Sequence, residues 1–261
     1  MSDWTAVGDG IFVKRYASLD LNIGALICGE GVALIDTRAN LVQARELRSD
    51  VARLTSKPVA WVINTHHHWD HTFGNAEFAP APIWGHSRCV DQLNLHGERM
   101  RSQLKEWAPD HAAAFDEVEI VPPDHTFDGA TTVSFSGREL HFRHLGRGHT
   151  DNDIIIEVPD AGVVFAGDLI EEGNPPAFGD AFPLEWADAV QQLADRCGGP
   201  VVPGHGAVVD RAFVEGQQRD LASVADLAAE RHDAGMTVAD AARLPGPFPA
   251  KTMEQAFGRA W

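Results

Sequence analysis

The chain has 261 residues, of which 44% are hydrophobic, so it is long enough to bury a large core without disulfide support. Its formal charge of −17 disfavours binding to a nucleic acid, because that contact depends on clustered lysine and arginine. The cysteines, Cys28, Cys89 and Cys197, are far apart and form no metal-spaced pair, which disfavours a disulfide framework and a cysteine-based zinc site.

The start of the chain, Met1 to Trp4, has neither a basic segment nor an apolar run. No apolar run elsewhere approaches the ~18 residues that span a membrane. We therefore expect a cytoplasmic protein with no membrane partner. One basic cluster, Arg99-Met100-Arg101 with Lys105, is interpreted as a solvated helix face.

The first half of the chain alternates short apolar runs with turns and helical patterns. The predicted strands are Ile11 to Ala17, Ile23 to Cys28, Val32 to Ile35, Val59 to Ile63 and Ile83-Trp84, with a tight turn at Gly29-Glu30-Gly31. The predicted helices are Asn40 to Leu54, a short one near residue 70, and Ser87 to about Trp107. Pro122-Pro123 then marks a boundary between two halves, residues 1–121 and 122–261.

The second half repeats this order of elements. The predicted strands are Thr131 to Phe135, Glu139 to Leu145, Ile154 to Val158, Gly162 to Ala166 and Val201-Val202, with a hairpin turn at Ser136-Gly137-Arg138. The predicted helices are Leu184 to Arg196 and Arg211 to His232. Two similar halves indicate two facing β-sheets with helices outside. We expect one domain over residues 1–261.

A cluster of histidines follows the strand at residues 59–63. It contains His66, His67, His68, Asp70 and His71. In an extended chain the side chains at i and i+2 point the same way, so His66 and His68 can share a metal while His67 faces away. Asp70 and His71 lie where the chain turns into a helix, and they can reach the same cavity to bind a second ion.

Three later residues complete a set of metal ligands. His149, Asp168 and His205 each follow a predicted apolar strand and each lie beside glycine, which permits close approach of the backbone. With the earlier cluster they offer five histidines and two aspartates. Such nitrogen and oxygen ligands suit zinc, with iron and manganese as alternatives.

These motifs resemble the metallo-β-lactamase-fold hydrolase superfamily over most of the chain. The matching segments are Leu34-Ile35-Asp36-Thr37, His66-x-His68-x-Asp70-His71, Gly148-His149-Thr150, Gly167-Asp168 and Gly204-His205-Gly206, in the order of the family. The resemblance implies an α/β fold, the αββα sandwich, with related halves and the site at the edge of its two sheets. It also implies one metal held by His66, His68 and His149, a second held by Asp70, His71 and His205, and Asp168 as the bridge.

A water between two zinc ions has its pKa lowered towards ~7 and supplies hydroxide as the nucleophile. Asp70 is a candidate to handle the transferred proton as well. Asp36, Thr150 and Asp151 are candidates to orient the ligand imidazoles, although capping of a helix fits Thr150 and Asp151 equally. The remaining histidines are interpreted as surface or core residues: His86, His96, His111, His125, His141 and His144.

The residue at position 168 narrows the class of substrate. In the best-known zinc β-lactamases the equivalent position is cysteine, whereas aspartate is typical of glyoxalase II-like hydrolases, lactonases, phosphodiesterases and persulfide dioxygenases. The sequence after His205 lacks a basic pattern for glutathione, so we predict hydrolysis of a small ester, lactone, thioester or amide. The alternatives are a mononuclear iron enzyme of the persulfide dioxygenase type and a metal-binding regulatory protein without turnover.

Three features stay open at this point. The loop Gly173 to Asp180 either lines the substrate or serves only the structure. The aromatic residues Trp69, Trp84, Trp107, Phe178, Phe182 and Trp186 either form an apolar mouth or pack in the core. The C-terminal segment Phe248 to Trp261 packs on its own domain or at a dimer interface, which leaves a homo-oligomer open.

Overall fold

The computed structural model describes residues 4–29 and 31–261. The predicted turn Gly29-Glu30-Gly31 and the start of the chain lie partly outside the described residues. The strands are β1 (Thr5–Gly8), β2 (Ile11–Tyr16), β3 (Leu21–Cys28), β4 (Gly31–Ile35), β5 (Val59–Ile63), β6 (Ile83–His86), β7 (His125–Phe127), β8 (Ala130–Phe135), β9 (Arg138–Arg143), β10 (Ile155–Val158), β11 (Val163–Glu171) and β12 (Val201–His205).

The helices are α1 (Leu41–Leu54), α2 (Trp69–Thr72), α3 (Ser87–Trp107), α4 (Ala112–Asp116), α5 (Trp186–Ala194), α6 (Arg211–Asp233), α7 (Val238–Ala242) and α8 (Ala250–Ala260), with short 3-10 turns at Asn75–Phe78 and Pro109–His111. The predicted α1 and α3 are therefore present almost residue for residue. None of the helices in the described ranges combines the length and the apolar character needed to cross a membrane.

The strands form two sheets that meet at one corner. β1 to β7 make the first sheet in chain order, antiparallel as far as β4 and parallel beyond it. β8 to β12 make the second sheet, in which β11 and β12 are parallel and the other neighbours antiparallel. Leu21 of β3 pairs with His205 of β12, so the two sheets join beside a predicted metal ligand.

Alternation along β4 shows how the layers are built. Ala33 and Ile35 face the second sheet and share an apolar core with its inner side chains. Val32 and Leu34 face the opposite way and pack with Leu47 of α1. On the far side, α5, α6 and α8 cover the outer face of the second sheet. The result is a helix, sheet, sheet, helix arrangement, which confirms the predicted αββα sandwich.

The chain passes from the first sheet to the second a few residues after Pro122-Pro123, where the sequence placed the boundary between the halves. β7 follows Pro122-Pro123, yet it pairs in parallel with β6 and so belongs to the first sheet. The chain enters the second sheet through the hairpin of β8 and β9, in which Phe135 pairs with Arg138 across Ser136-Gly137. This hairpin was predicted from the same glycine-containing turn.

The C-terminal segment packs on its own domain. Met253, Ala256 and Phe257 of α8 are buried in the core that covers the second sheet. Trp261 stacks on Phe257 with ring centroids 5.5 Å apart, and its Nε1 donates to the carbonyl oxygen of Ala228 in α6. These contacts favour packing of the segment on its own domain over packing at a dimer interface.

Replacement of Phe257 by alanine is expected to lower the free energy of unfolding by about 3 to 5 kcal/mol, because it opens a cavity in a closed core. Urea denaturation measures the change. Phe213→Ala is the matched control, since Phe213 is 36% exposed, and it is expected to shift stability by about 1 kcal/mol or less. Equal effects of the two substitutions would contradict the described packing of α8.

Candidate metal centre

The structure brings all seven predicted side chains to one end of the sandwich, where the sheets join. The histidine segment leaves β5 there, and Asp70 and His71 lie in the first turn of α2. His149 lies in the loop between β9 and β10, and His205 is the last residue of β12. The position therefore matches the sheet edge that the resemblance implied.

Asp168 reaches the centre in a way that the sequence pattern did not predict. β11 continues to Glu171, so Asp168 lies within the strand instead of after it. Gly167 adopts a φ of +52° and the pairing with β12 shifts register on both sides of it, which turns the strand locally. Gly204 leaves room for the carboxylate, since a Cβ atom there would lie 1.7 Å from Asp168 Oδ1.

The first cluster consists of His66, His68, His149 and Asp168, whose nearest ligand atoms all lie within 4.8 Å of one another. His149 Nε2 is 2.9 Å from His68 Nδ1 and 3.4 Å from Asp168 Oδ2. His66 Nε2 is 3.7 Å from the same carboxylate oxygen. Three imidazole nitrogens and one carboxylate oxygen thus point into one space.

The second cluster consists of Asp70, His71 and His205. Asp70 Oδ2 is 3.4 Å from His205 Nε2 and 3.7 Å from His71 Nε2. Asp168 faces this group as well, with Oδ1 3.3 Å from His71 Nε2 and Oδ2 3.3 Å from His205 Nε2. The carboxylate of Asp168 is therefore shared between the two clusters.

Several polar atoms at the centre are buried without a hydrogen bond. His66 Nε2, His71 Nε2 and Asp168 Oδ1 have no such partner in the described part of the chain. Buried polar atoms are nearly always paired in folded proteins, so three unpaired atoms that face one another call for a further group. Their donor types, imidazole nitrogen and carboxylate oxygen, fit a metal ion of the zinc type.

The protonation of the centre also indicates a cation site. Burial lowers the pKa of His149 to about 4 and that of His66 well below its usual range. Burial opposes charge on His71 and His205 too, but nearby carboxylates, Asp168 first, raise the pKa of His205 to about 10 and that of His71 well above its usual range. For Asp168, burial raises the pKa, but the surrounding imidazoles hold it well below its usual range. A cation bound between these groups would interact with Asp168 in the place of protons on His71 and His205.

Asp36, which the sequence offered as a candidate to orient the ligand imidazoles, contacts His71 directly and reaches His66 through Thr65. Its Oδ2 lies 2.8 Å from His71 Nδ1 and accepts a hydrogen bond from Thr65 Oγ1. Thr65 Oγ1 lies 3.0 Å from His66 Nδ1, so the network extends to a second histidine. Asp36 itself has a φ of 63°, a left-handed conformation that aspartate tolerates better than most residues. The contacts fix which ring nitrogen of each histidine faces the cavity.

Asp180 is a neighbour of the centre that the sequence did not identify. Its two carboxylate oxygens lie 3.0 and 3.1 Å from His68 Nε2, so they leave Nδ1 of that ring to face the first cluster. In the sequence Asp180 stands out only as the last residue of the loop from Gly173. No motif or spacing links it to His68, which is 112 positions away.

Glu171 was also missed, although a signal was present. It is a buried carboxyl group at the end of β11, three positions after Asp168, and its Oε1 lies 3.5 Å from His149 Nδ1. The same oxygen accepts a hydrogen bond from the backbone N–H of Ala177. Burial raises the pKa of Glu171 to about 8. The signal in the sequence is an acidic residue directly after a short apolar run, since Leu169-Ile170 precede Glu171 as Val163 to Ala166 precede Gly167-Asp168.

The roles predicted for Thr150 and Asp151 do not match their contacts in the described part of the chain. Thr150 donates to Asp153 instead of orienting an imidazole, and Asp151 accepts hydrogen bonds from Arg88 and Gln92. No helix begins beside them, since the chain runs on into β10. Both the orienting role and the capping role of these two residues are therefore wrong.

His67 lies outside both clusters, as predicted. It is buried, and Asn152 Nδ2 donates to its Nδ1 over 2.9 Å. Its other nitrogen lies 3.6 Å from Asp180. His67, His68 and Asp180 form a third group whose ligand atoms lie close enough to hold a metal ion. His86 is buried as well, and it caps α3 by accepting from the backbone N–H of Arg88. Neither His67 nor His86 belongs to the first or the second cluster.

The centre opens into a cavity of about 280 Å³. Asn174, Ala177, Gly179 and Asp180 line it, so the loop Gly173 to Asp180 lies at the cavity instead of away from it.

The aromatic residues do not form a common mouth. Phe178 and Trp186 are fully buried, and Trp84 packs against Trp61 between the sheets. Trp107 and Phe182 instead line a neighbouring cavity. Core packing is therefore the better interpretation of most of these side chains.

Comparison with known proteins places this geometry in a family. The family model described as "Metallo-beta-lactamase superfamily" matches residues 23–232 of the chain, which include all seven side chains of the two clusters. The chain therefore belongs to the metallo-beta-lactamase superfamily. The histidine and aspartate clusters, together with the family, support a metal-dependent hydrolase.

Individual relatives are distant. A "Metallo-beta-lactamase type 2" of Bacillus cereus is 25% identical over 190 residues, which are 71% of this chain and 66% of that protein. A solved metallo-beta-lactamase from Pontibacter korlensis has a TM-score of 0.68 at 22% identity, over 84% of this chain and 97% of the other. The sec-alkylsulfatase Pisa1 of Pseudomonas sp. has a TM-score of 0.79 at 17% identity and covers 99% of this chain, which spans 50% of that one. The two structures support the fold.

Substitution of His66 and of His67 separates the two roles assigned to adjacent histidines. His66→Gln is expected to lose about one metal ion per chain, because it removes a nitrogen of the first cluster. His67→Gln is expected to keep the full metal content, and it serves as the control at the next position. Elemental analysis of the purified variants measures both. Equal loss in the two proteins would contradict the assignment.

Replacement of Asp36 by asparagine tests the supporting network. Asparagine tolerates the same backbone conformation, but its amide N–H₂ places a donor where His71 and Thr65 need an acceptor. We expect the affinity for zinc to fall roughly 10- to 100-fold, measured by competition with a chromophoric chelator. Asp160→Asn, at an exposed carboxylate, is the control and should leave the affinity unchanged.

Proposed function

We propose that this protein is a binuclear zinc hydrolase that cleaves a small ester, lactone, thioester or amide. The observation that carries the proposal is the buried carboxylate of Asp168, which faces ligand atoms of both clusters while its Oδ1 lacks a hydrogen bond. A carboxylate in this position suits a bridge between two cations. Iron and manganese suit the same donor types, so the identity of the metal as zinc is itself proposed.

The residues that would hold the first ion are His66, His68 and His149, and those for the second are Asp70, His71 and His205, with Asp168 between them. When bound, the metal ions supply a water that is hydroxide at neutral pH and positive charge for the developing oxyanion. Side chains of the protein supply the remaining parts of the mechanism, which are proton transfer and the positioning of the ligands.

Asp70 is the residue we assign to proton transfer. It lines the cavity, and its Oδ2 faces both His205 and His71. Its carboxylate would take the proton of the hydroxyl group that has added to the acyl carbon and pass it to the leaving group as that bond breaks. The network of Asp36 and Thr65 keeps the imidazoles in place during this exchange, so the ligands need not reorganise.

The cavity favours a small substrate. Its volume is about 280 Å³ and carboxylates line much of it, which disfavours an anionic polymer such as a nucleic acid. Aspartate at position 168 instead of cysteine weighs against a β-lactam as the main substrate. The names of the relatives, β-lactamases and alkylsulfatases, favour hydrolysis over the iron oxygenase alternative. We also keep a cytoplasmic location, a single domain and a small-molecule partner as proposals from the sequence.

Elemental analysis of protein purified without added metal tests the proposal. We expect about two zinc ions per chain, and turnover of at least one member of a panel of lactones, thioesters, esters, amides, alkyl sulfates and β-lactams. A chelator should abolish that turnover and added zinc should restore it. A single iron per chain, with oxygen uptake on a persulfide and no hydrolysis, would contradict the proposal.

A further inference from the structure

A second cavity of about 430 Å³ adjoins the metal centre. Gly179 and Asp180 line both cavities, so only this short stretch separates them. Asp180 contacts His68 on the first side and lies 3.6 Å from His67 on the second. A Cβ atom placed on Gly179 would meet nothing within 4 Å, so no other side chain blocks the space beside Gly179 between the two cavities. A ligand that crosses Gly179 would occupy both cavities.

One face of α3 forms a wall of the second cavity. The lining residues on this helix are Gln92, His96, Arg99, Met100, Gln103 and Trp107. Apart from the adjacent pair Arg99 and Met100, they are spaced three or four positions apart, which places them on one side of a helix. Phe182 and Arg259 line the cavity from other elements. The basic cluster Arg99-Met100-Arg101 with Lys105 was predicted to be a solvated helix face. Arg99 instead faces the cavity, whereas Arg101 and Lys105 do not line it.

Neither arginine of the second cavity is paired with a carboxylate in the described part of the chain. On the same helix, Arg101 pairs with Glu98 and Lys105 pairs with Asp116. Arg99, in contrast, has neither an ion pair nor a hydrogen bond to any residue that the structure describes. Arg259 donates from Nε and Nη2 to the backbone carbonyl oxygens of Ala181 and Asp180, and within the described ranges it has no carboxylate partner.

The carboxylates that line the second cavity are already engaged elsewhere. Asp151 accepts hydrogen bonds from Arg88 and Gln92. Asp180 is bound to His68. Two guanidinium groups without a carboxylate partner therefore share a cavity in a protein whose formal charge is −17. Arginine in such a position is a ready partner for a carboxylate, which it can bind through two parallel hydrogen bonds.

We propose that the second cavity binds a carboxylate of the substrate, so that the substrate is an acyl compound with an acid group at its far end. The scissile bond would lie at the metal centre, and the acid group would lie between Arg99 and Arg259. Met100, Trp107 and Phe182 offer apolar contact for the carbon chain between them. This inference rests on the proposed hydrolase, because it assigns the rest of that enzyme's substrate.

Two esters with the same six-carbon acyl chain test the inference. Mono(4-nitrophenyl) adipate carries the terminal carboxylate and 4-nitrophenyl hexanoate does not. Arg99→Gln is expected to raise KM for the adipate ester about five-fold and to leave the hexanoate ester unchanged. Arg101→Gln is the matched control, since it removes the same charge from the same helix outside the cavity, and it should alter neither KM.

The outcomes separate this inference from the hydrolase itself. If both esters are cleaved and Arg99→Gln affects them alike or not at all, the carboxylate site is wrong and the hydrolase stands. If neither ester is cleaved, calorimetry with 6-phenylhexanoate and its neutral amide gives the answer. Binding of the carboxylate alone, lost in Arg99→Gln but kept in Arg101→Gln, supports the site. Binding that does not depend on Arg99, or no binding, overturns it.

Discussion

The structure of this protein depends on the burial of one carboxylate, that of Asp168, among imidazoles from distant parts of the chain. A buried carboxylate is stable only when positive charge or hydrogen-bond donors compensate for the lost water. His66, His149 and His205 surround one oxygen and His71 faces the other. Within the described residues these groups come close without satisfying one another completely, which is the arrangement expected when a cation completes the set.

The backbone is built to reach this arrangement. Gly167 turns β11 locally, and Gly204 of β12 has no side chain where the carboxylate passes. The pairing of Leu21 with His205 closes the two sheets together at the same place. From the first sheet, Asp36 reaches across to His71 and Thr65. Each device lies in a regular element or directly after one, so the ligand positions are held by the core of the sandwich and not by loops alone.

The loop Gly173 to Asp180 connects this rigid centre to the space for substrate. Glu171 accepts from the backbone of Ala177 at one end of the loop, and Asp180 holds His68 at the other. Arg259 of α8 donates to the carbonyl oxygens of Asp180 and Ala181, so the C-terminal helix supports the loop from outside. A segment held at both ends beside the metal ligands can shape the substrate without disturbing them. The second cavity begins at the same residues.

Sequence periodicity and spacing determined most of the fold. The strands other than β1 and β7, the long helices and the αββα order follow from local patterns of apolar residues, because such patterns depend on near neighbours only. The seven candidate ligands also stood out, since each lies beside glycine or within a dense histidine cluster. The tertiary structure alone decided which other groups touch them. Asp180 reaches His68 only after the two halves pack together. Glu171 reaches His149 only when β11 and the loop before β10 fold against each other. Arg99 differs from Arg101 only by the helix face it occupies against distant elements. A contact such as that of Asp180 with His68, 112 positions apart, produces no local pattern in the sequence, so only three-dimensional packing determines it.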